Sequence, residues 1–344
     1  MKGKFASLDT TNKLLMLLVI PMMFIILKEL SNIFVPLIVA CFFALLFMPF
    51  LRWSARKNIP RFLAIIVIFV IFVVAVRCCI WILQLASQEI RSTDVQTWQQ
   101  IYMNFKEFVI RLAVIAGLSE ESILEHLQET DLVSTLYENA GNVFNAVRKT
   151  FSIVFLSIFF MILLLASSFN GQRILEVLLL KNKTSSMRTY ITIEKSISKF
   201  IFVKIIISLL TGISFSILCY CFDVQFPIFW GVLAFVLNFI QMIGSIISTA
   251  IMCVFAVTFL PTMSVTVLFI ALAIAIQLLF GSILEPIFMG KTFSINTVTI
   301  IVMLFFWGYV WNIPGMILAV PLTVTMKTIM EQFDRTRNIA ALMS

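Results

Sequence analysis

Charge is scarce in this chain. Only 12% of its 344 residues are Asp, Glu, Lys or Arg, while 61% are hydrophobic, a balance that excludes a water-soluble domain of ordinary composition. Histidine occurs once, as His126, which excludes a multi-histidine metal centre. Cys41, Cys78, Cys79, Cys219, Cys221 and Cys253 all fall inside apolar stretches without metal-ligand spacing, and read as small buried thiols. Neither an HExxH zinc motif nor a GxSxG nucleophile elbow is present, so no catalytic residue, metal or cofactor is assigned. Segments of about ten residues with alternating polarity are missing too, which excludes a transmembrane barrel.

Long apolar runs stand in their place, over residues 14–27, 33–51, 62–83, 151–166, 200–222, 228–260, 265–284 and 295–326. A helix needs roughly 20 residues to cross a ~30 Å hydrocarbon core, and most of these runs approach or exceed that length. The fold class is therefore an all-α polytopic membrane protein of about eight hydrophobic segments. The first run is short and carries Pro21, but Lys13 and Lys28 can lay their stems along it and reach the two interfaces. It reads as a retained first membrane helix, because Lys28 and Glu29 stand where small residues would mark signal cleavage.

The formal net charge is +8, yet the bases cluster beside apolar runs, the pattern of positive-inside loops and not of a nucleic-acid surface. Lys2, Lys4 and Lys13, then Arg52, Arg56, Lys57 and Arg61, then Arg173, Lys181, Lys183, Arg188, Lys195 and Lys199 define three cytoplasmic stretches. Both termini are accordingly expected inside a bacterial inner membrane. Residues 84–150 carry nine acids against five bases and read as a small helical extracytoplasmic domain. There Trp98, Ile101, Tyr102, Phe105, Val109, Leu112 and Ala116 recur at helical spacing before Gly117, and a second stripe from Val133 to Val147 runs into the fourth apolar segment. The two stripes are expected to pack on each other, with His126 a solvated surface residue. The organisation is thus N-terminal membrane helices over 1–83, the outside domain over 84–150, a fourth membrane helix with a basic amphipathic cytoplasmic region over 151–199, a C-terminal membrane core over 200–326 and a cytoplasmic tail over 327–344.

Two runs have the wrong length. Residues 228–260 and 295–326 are 33 and 32 residues long, too long for one ordinary span and too short for two. The first contains Asn238, Gln241, Gly244 and Ser245, the second Gly308, Asn312, Pro314 and Gly315. Polar groups in hydrocarbon are costly unless they face protein or water, and proline removes a backbone donor. Both segments are therefore expected to be broken or re-entrant and to line a pathway, because irregular backbone is tolerated at depth only where something satisfies it; one long tilted, kinked helix in each place is the alternative. Glu285, followed by Pro286, is one of four Asp, Glu, Lys or Arg residues between positions 200 and 326. Lys204 and Asp223 are read as interface residues; Glu285 either pairs with Lys291 or lies in a wet vestibule beside the second broken segment, while Pro286 is expected to discourage helix at Glu285 itself.

The stretches FWGVLAFVLNFIQMIGSI at 229–246, GSILEPIFMGK at 281–291 and FFWGYVWNIPGMILAVPLTVTMK at 305–327 carry a resemblance, supported by Pro36, Pro49 and IPRFLA within 35–64. In them the chain resembles the autoinducer-2 exporter family of bacterial membrane proteins. Departures from that family's pattern are Gln241 in place of a usual proline, Met48 in place of a polar residue before Pro49, and Asn312 in place of a common glycine. The resemblance implies an inner-membrane transporter assembled as a homo-oligomer, a pentamer in the expectation. It also implies either export of autoinducer-2, the quorum-sensing signal, or sodium/proton antiport.

Export of a small hydrophilic metabolite such as autoinducer-2 is the leading expectation, with Asn238, Gln241, Gly244, Ser245, Glu285, Pro286, Gly308, Asn312, Pro314 and Gly315 as pathway candidates. The alternatives are exchange of a monovalent cation, sodium or lithium, for protons with Glu285 as the coupling carboxylate, and an envelope scaffold. Small polar solute or cation and membrane lipid are the expected partners.

Overall fold

Inside hydrocarbon no water is available to a free N–H or C=O, so an apolar run crosses as helix even where its residues favour strands in water. Residues 62–83 are crowded with Ile and Val and are helical throughout. The computed structural model describes residues 15, 18, 19, 21–115, 153–166, 183–290, 295–334 and 336–344. The second apolar stripe, Gly117, His126, Lys291 and the basic stretch at 173–181 lie outside the described residues.

Among the described residues there is no strand. The helices are α1 (Ser31–Arg56), α2 (Arg61–Arg91), α3 (Val95–Ile115), α4 (Ile153–Ala166), α5 (Lys183–Cys221), α6 (Pro227–Leu237), α7 (Ile243–Phe259), α8 (Met263–Gln277), a π-helix (Leu278–Leu284), α9 (Glu285–Met289), α10 (Thr297–Met330) and α11 (Arg337–Leu342). Five stretches are long and apolar enough to cross a membrane: α1, α2, Met187–Cys221 of α5, Met263–Met289 and α10. Large apolar side chains such as Phe62, Phe155 and Met263 are more than 70% exposed, as a lipid-facing surface requires. The chain is an all-α polytopic membrane protein.

Two boundaries differ from the sequence reading. Helix α2 does not stop at Leu83 but continues to Arg91, about 46 Å at 1.5 Å per residue, longer than a ~30 Å hydrocarbon core. Arg188, Lys195 and Lys199, read as a loop cluster, instead ride on the first turns of α5, a continuous helix of 39 residues.

The chain divides into two compact units, one drawn from residues 1–65, 153–198 and 293–344, the other from 66–152 and 199–292. In the first, α1 is tied to the N-terminal half of α5 by a bidentate ion pair between Arg52 and Glu194, with Arg52 Nη1 donating to Glu194 Oε2 at 3.1 Å. Ser198 Oγ donates to Leu45 O at 3.1 Å, and Arg61 Nη2 donates to Leu165 O at 2.7 Å. Helix α10 packs on α1 and on α11. The helical turns at 21–29 dock on it through Phe24 against Phe306, Lys28 over the Tyr309 ring at 3.8 Å, and Trp311 Nε1 donating to Leu27 O at 2.9 Å.

The core of the second unit is Phe215, Leu218, Cys219, Trp230, Met252, Phe269 and neighbours. Helix α3 joins it, with Ile101 buried, Trp98 stacked on Phe226 at 5.5 Å and Asn104 Nδ2 donating to Thr258 O at 2.6 Å. The first apolar stripe thus packs on α7 and the start of α6. Helices α5 and α6 approach so closely that a Cβ on Gly212 or on Gly231 would fall 2.7 Å from the other's carbonyl oxygen. Small residues allow that contact, the usual way helices associate when lipid removes the hydrophobic drive.

Candidate functional site

Both segments of anomalous length are broken, and each break has the same local design. Helix α6 ends at Leu237 and α7 starts at Ile243. The rings of Trp230 and Phe255 lie 4.8 Å apart, although 25 residues of continuous helix would separate them by about 37 Å, so α6 and α7 form a hairpin. Met242 turns it with φ +61°. A Cβ on Gly244 would overlap the Leu237 carbonyl, falling 2.7 Å from its carbon. In α10 the reversal lies at Trp311 and Asn312, the latter at φ +53° and ψ −140°. A Cβ on Gly315 would in the same way lie 2.7 Å from the Trp307 carbonyl carbon, eight positions earlier, where a straight helix would put about 12 Å.

The residues singled out in sequence occupy distinct places in these two reversals. Gly244 and Ser245 open α7, with Ser245 Oγ donating to Met242 O at 2.9 Å. Gly308 is helical and packs against the Met316 side chain, Pro314 and Gly315 begin the second half of α10, and the side chain of Asn312 is exposed. Gly308, Asn312, Pro314 and Gly315 belong to the first unit, while Asn238, Gln241, Gly244, Ser245, Glu285 and Pro286 belong to the second.

In the second unit three of the candidates converge with a residue read otherwise. Lys204 Nζ donates to Glu285 Oε1 at 2.8 Å and to Gln241 Oε1 at 2.9 Å, and Gln241 Nε2 donates to the same Glu285 Oε1 at 3.0 Å. One turn along α5, Ser208 Oγ accepts from Asn238 Nδ2 at 3.1 Å. Lys204 is 2% exposed and Glu285 4%, so Lys204 is no interface residue, and the described partner of Glu285 is Lys204. Intramembrane charges are expensive unless paired. Two opposite charges in separate apolar runs were the available signal for this contact. Pro286 points outward and is exposed.

The π-helix explains how Glu285 reaches the interior. The buried stripe of α8 is Thr266, Phe269 and Ala273, and twelve further residues of α-helix would leave position 285 about 120° away from it. One residue accommodated in the wider i→i+5 turns sets the phase back by roughly 100°, which returns Glu285 to the buried side. It also tolerates Pro286, which has no N–H to donate. Contrary to the expectation that Pro286 would discourage helix there, Glu285 is helical at φ −57° and ψ −52°.

A second acid positions the hairpin. Glu89 of α2 accepts from Ile228 N at 3.2 Å through Oε1 and from Phe229 N at 3.0 Å through Oε2. Pro227 fills the first helical position, so one carboxylate satisfies the next two orphan donors of α6 and meets the positive end of its dipole. Among the described residues no three His, Cys, Asp or Glu gather as a metal site would require.

Broken apolar hairpins with a buried polar cluster at one turn place the chain among the polytopic membrane proteins with discontinuous helices. The sequence model described as AI-2E family transporter matches residues 14–335, and the chain belongs to this family. It is 28% identical over 341 residues to the AI-2 transport protein TqsA of Escherichia coli (strain K12), covering 97% of each chain. It is also similar to putative transport proteins of Borreliella burgdorferi, 26% identical over 92% of this chain and 86% of that one, and of Haemophilus influenzae, 27% identical over 92% and 91%.

Proposed function

We propose that this transporter exports a small, uncharged, hydroxyl-rich metabolite, with autoinducer-2 as the cargo to test first. The observation that carries the reading is the similarity, over 97% of both chains, to a protein named for AI-2 transport. The chemistry of the cluster supports it: Asn238, Gln241 and Ser208 supply amide and hydroxyl groups, and the one pair of charges present, Lys204 with Glu285, cancels. Such groups exchange hydrogen bonds with a polyhydroxylated solute without demanding a charge on it. Exchange of sodium or lithium for protons draws no support from the geometry, since Glu285 is already neutralised by a buried lysine. The proposal includes a homo-oligomer, taken as a pentamer, in the bacterial inner membrane with both termini cytoplasmic.

Flux of labelled autoinducer-2 from proteoliposomes holding the purified chain tests the cargo. Efflux well above that of protein-free liposomes is expected, and efflux equal to it would overturn the reading.

A further inference from the structure

Residues 200–326 contain four Asp, Glu, Lys or Arg side chains, and two of them, Lys204 and Glu285, are pressed together in the interior of the second unit at 2.8 Å. The surrounding polar groups, Gln241, Asn238 and Ser208, bring dipoles and no charge. Asp223 is exposed at the end of α5, and Lys199 is exposed as well. Glu285 Oε1 takes both donors of the cluster, so among the described residues no hydrogen bond reaches Oε2.

We propose that Lys204 and Glu285 act together as the charge filter of the transporter: paired, they offer a hydrogen-bonding surface of zero net charge that admits uncharged polyols and rejects small ions of either sign. This rests on the reading of the cluster as part of the transport pathway. An ion approaching the pair must shed hydration, and each fixed charge offsets much of the attraction the other would offer, so the return is smaller than from a lone charge. An uncharged polyol sheds less and regains its hydrogen bonds from Oε2 and the amides. Remove one partner, and the remaining charge stands alone in low-dielectric surroundings, where it favours ions of opposite sign by about tenfold or more. Selectivity should then change in sign with the residue removed. Gln241 is the adjustable member, since it touches both charges.

The test is competition against autoinducer-2 uptake in proteoliposomes by three probes with one hydroxylated skeleton: xylitol, xylonate and 1-amino-1-deoxyxylitol. For the unaltered chain only xylitol should compete. Glu285→Gln should improve competition by xylonate about tenfold, and Lys204→Gln should improve competition by the aminopolyol to the same degree. The double variant should regain the preference for xylitol. Where a lone buried charge unfolds the chain, Gln241→Lys and Gln241→Glu carry the same test with the pair intact, favouring xylonate and the aminopolyol in turn. A chain that takes up autoinducer-2, with folded variants that rank the three probes as the unaltered chain does, would overturn the filter and leave the transport reading standing. A chain that neither takes up nor releases autoinducer-2 would overturn both.

Discussion

Breaking the Lys204–Glu285 pair from one side should cost more than removing both charges. At 2.8 Å and an effective dielectric of about 20 the Coulomb attraction is roughly 6 kcal/mol, set against a desolvation penalty of several kcal/mol for each ion. The two nearly balance, so the intact pair adds little net stability. Substituting Glu285→Gln leaves the Lys204 ammonium buried with only neutral amide oxygens to accept from it, and an uncompensated buried charge costs about 3–5 kcal/mol. Lys204→Met leaves the Glu285 carboxylate with only the Gln241 amide, at a similar cost. In the double variant the amide introduced by Glu285→Gln can accept from Gln241 Nε2 and donate to Gln241 Oε1, so no polar group is orphaned, and the loss should fall to about 1–2 kcal/mol. Thermal unfolding of purified protein in detergent, followed by the loss of the monodisperse peak on size exclusion, measures the ordering. The expected result is a double variant that melts above both single variants. A double variant that loses as much as the two singles combined would refute the reasoning, because it would mean the two side chains are stabilised independently.

The reversals offer further tests. Asn312 sits at φ +53°, ψ −140°, a region nearly reserved for glycine that costs a non-glycine residue of order 1–3 kcal/mol, so Asn312→Gly should raise the melting temperature by a few degrees. Gly244→Ala and Gly315→Ala each drive a methyl into a backbone carbonyl, and both should reduce folded yield severely where alanine at an ordinary helical site would not. Glu89→Ala strips the acceptor from two N–H groups at the start of α6 and should cost about 1–2 kcal/mol, with Glu89→Gln recovering part of the loss. For topology, a single cysteine at position 121, in a chain whose six cysteines are replaced, should react with an impermeant thiol reagent on intact cells; protection there would contradict the proposed orientation.

Composition and run length alone determined that this is a helical membrane protein, because lipid leaves a spanning backbone so few ways to satisfy its hydrogen bonds. They also located both reversals, since 33 and 32 residues with central polar and helix-breaking groups cannot cross as ordinary single spans. The positions of Asn312 and Gly315 are legible in the same terms, an asparagine where φ is positive and a glycine where two backbones meet. What only the tertiary structure decided is which charges pair. Lys204 looked like an interface residue and Lys291 like the nearest partner for Glu285, because a sequence measures proximity along the chain. The actual partner lies 81 residues away, reached by a π-helical turn whose extra residue rotates Glu285 through about 100°. A phase shift of that kind leaves the apolar pattern of residues 265–284 unchanged, and so writes no signal into the sequence. The Glu89 clamp on α6 was hidden for a related reason: the run of apolar residues stops at Leu83, and the helix continues to Arg91 because helix propagation, once begun, does not require hydrophobic side chains.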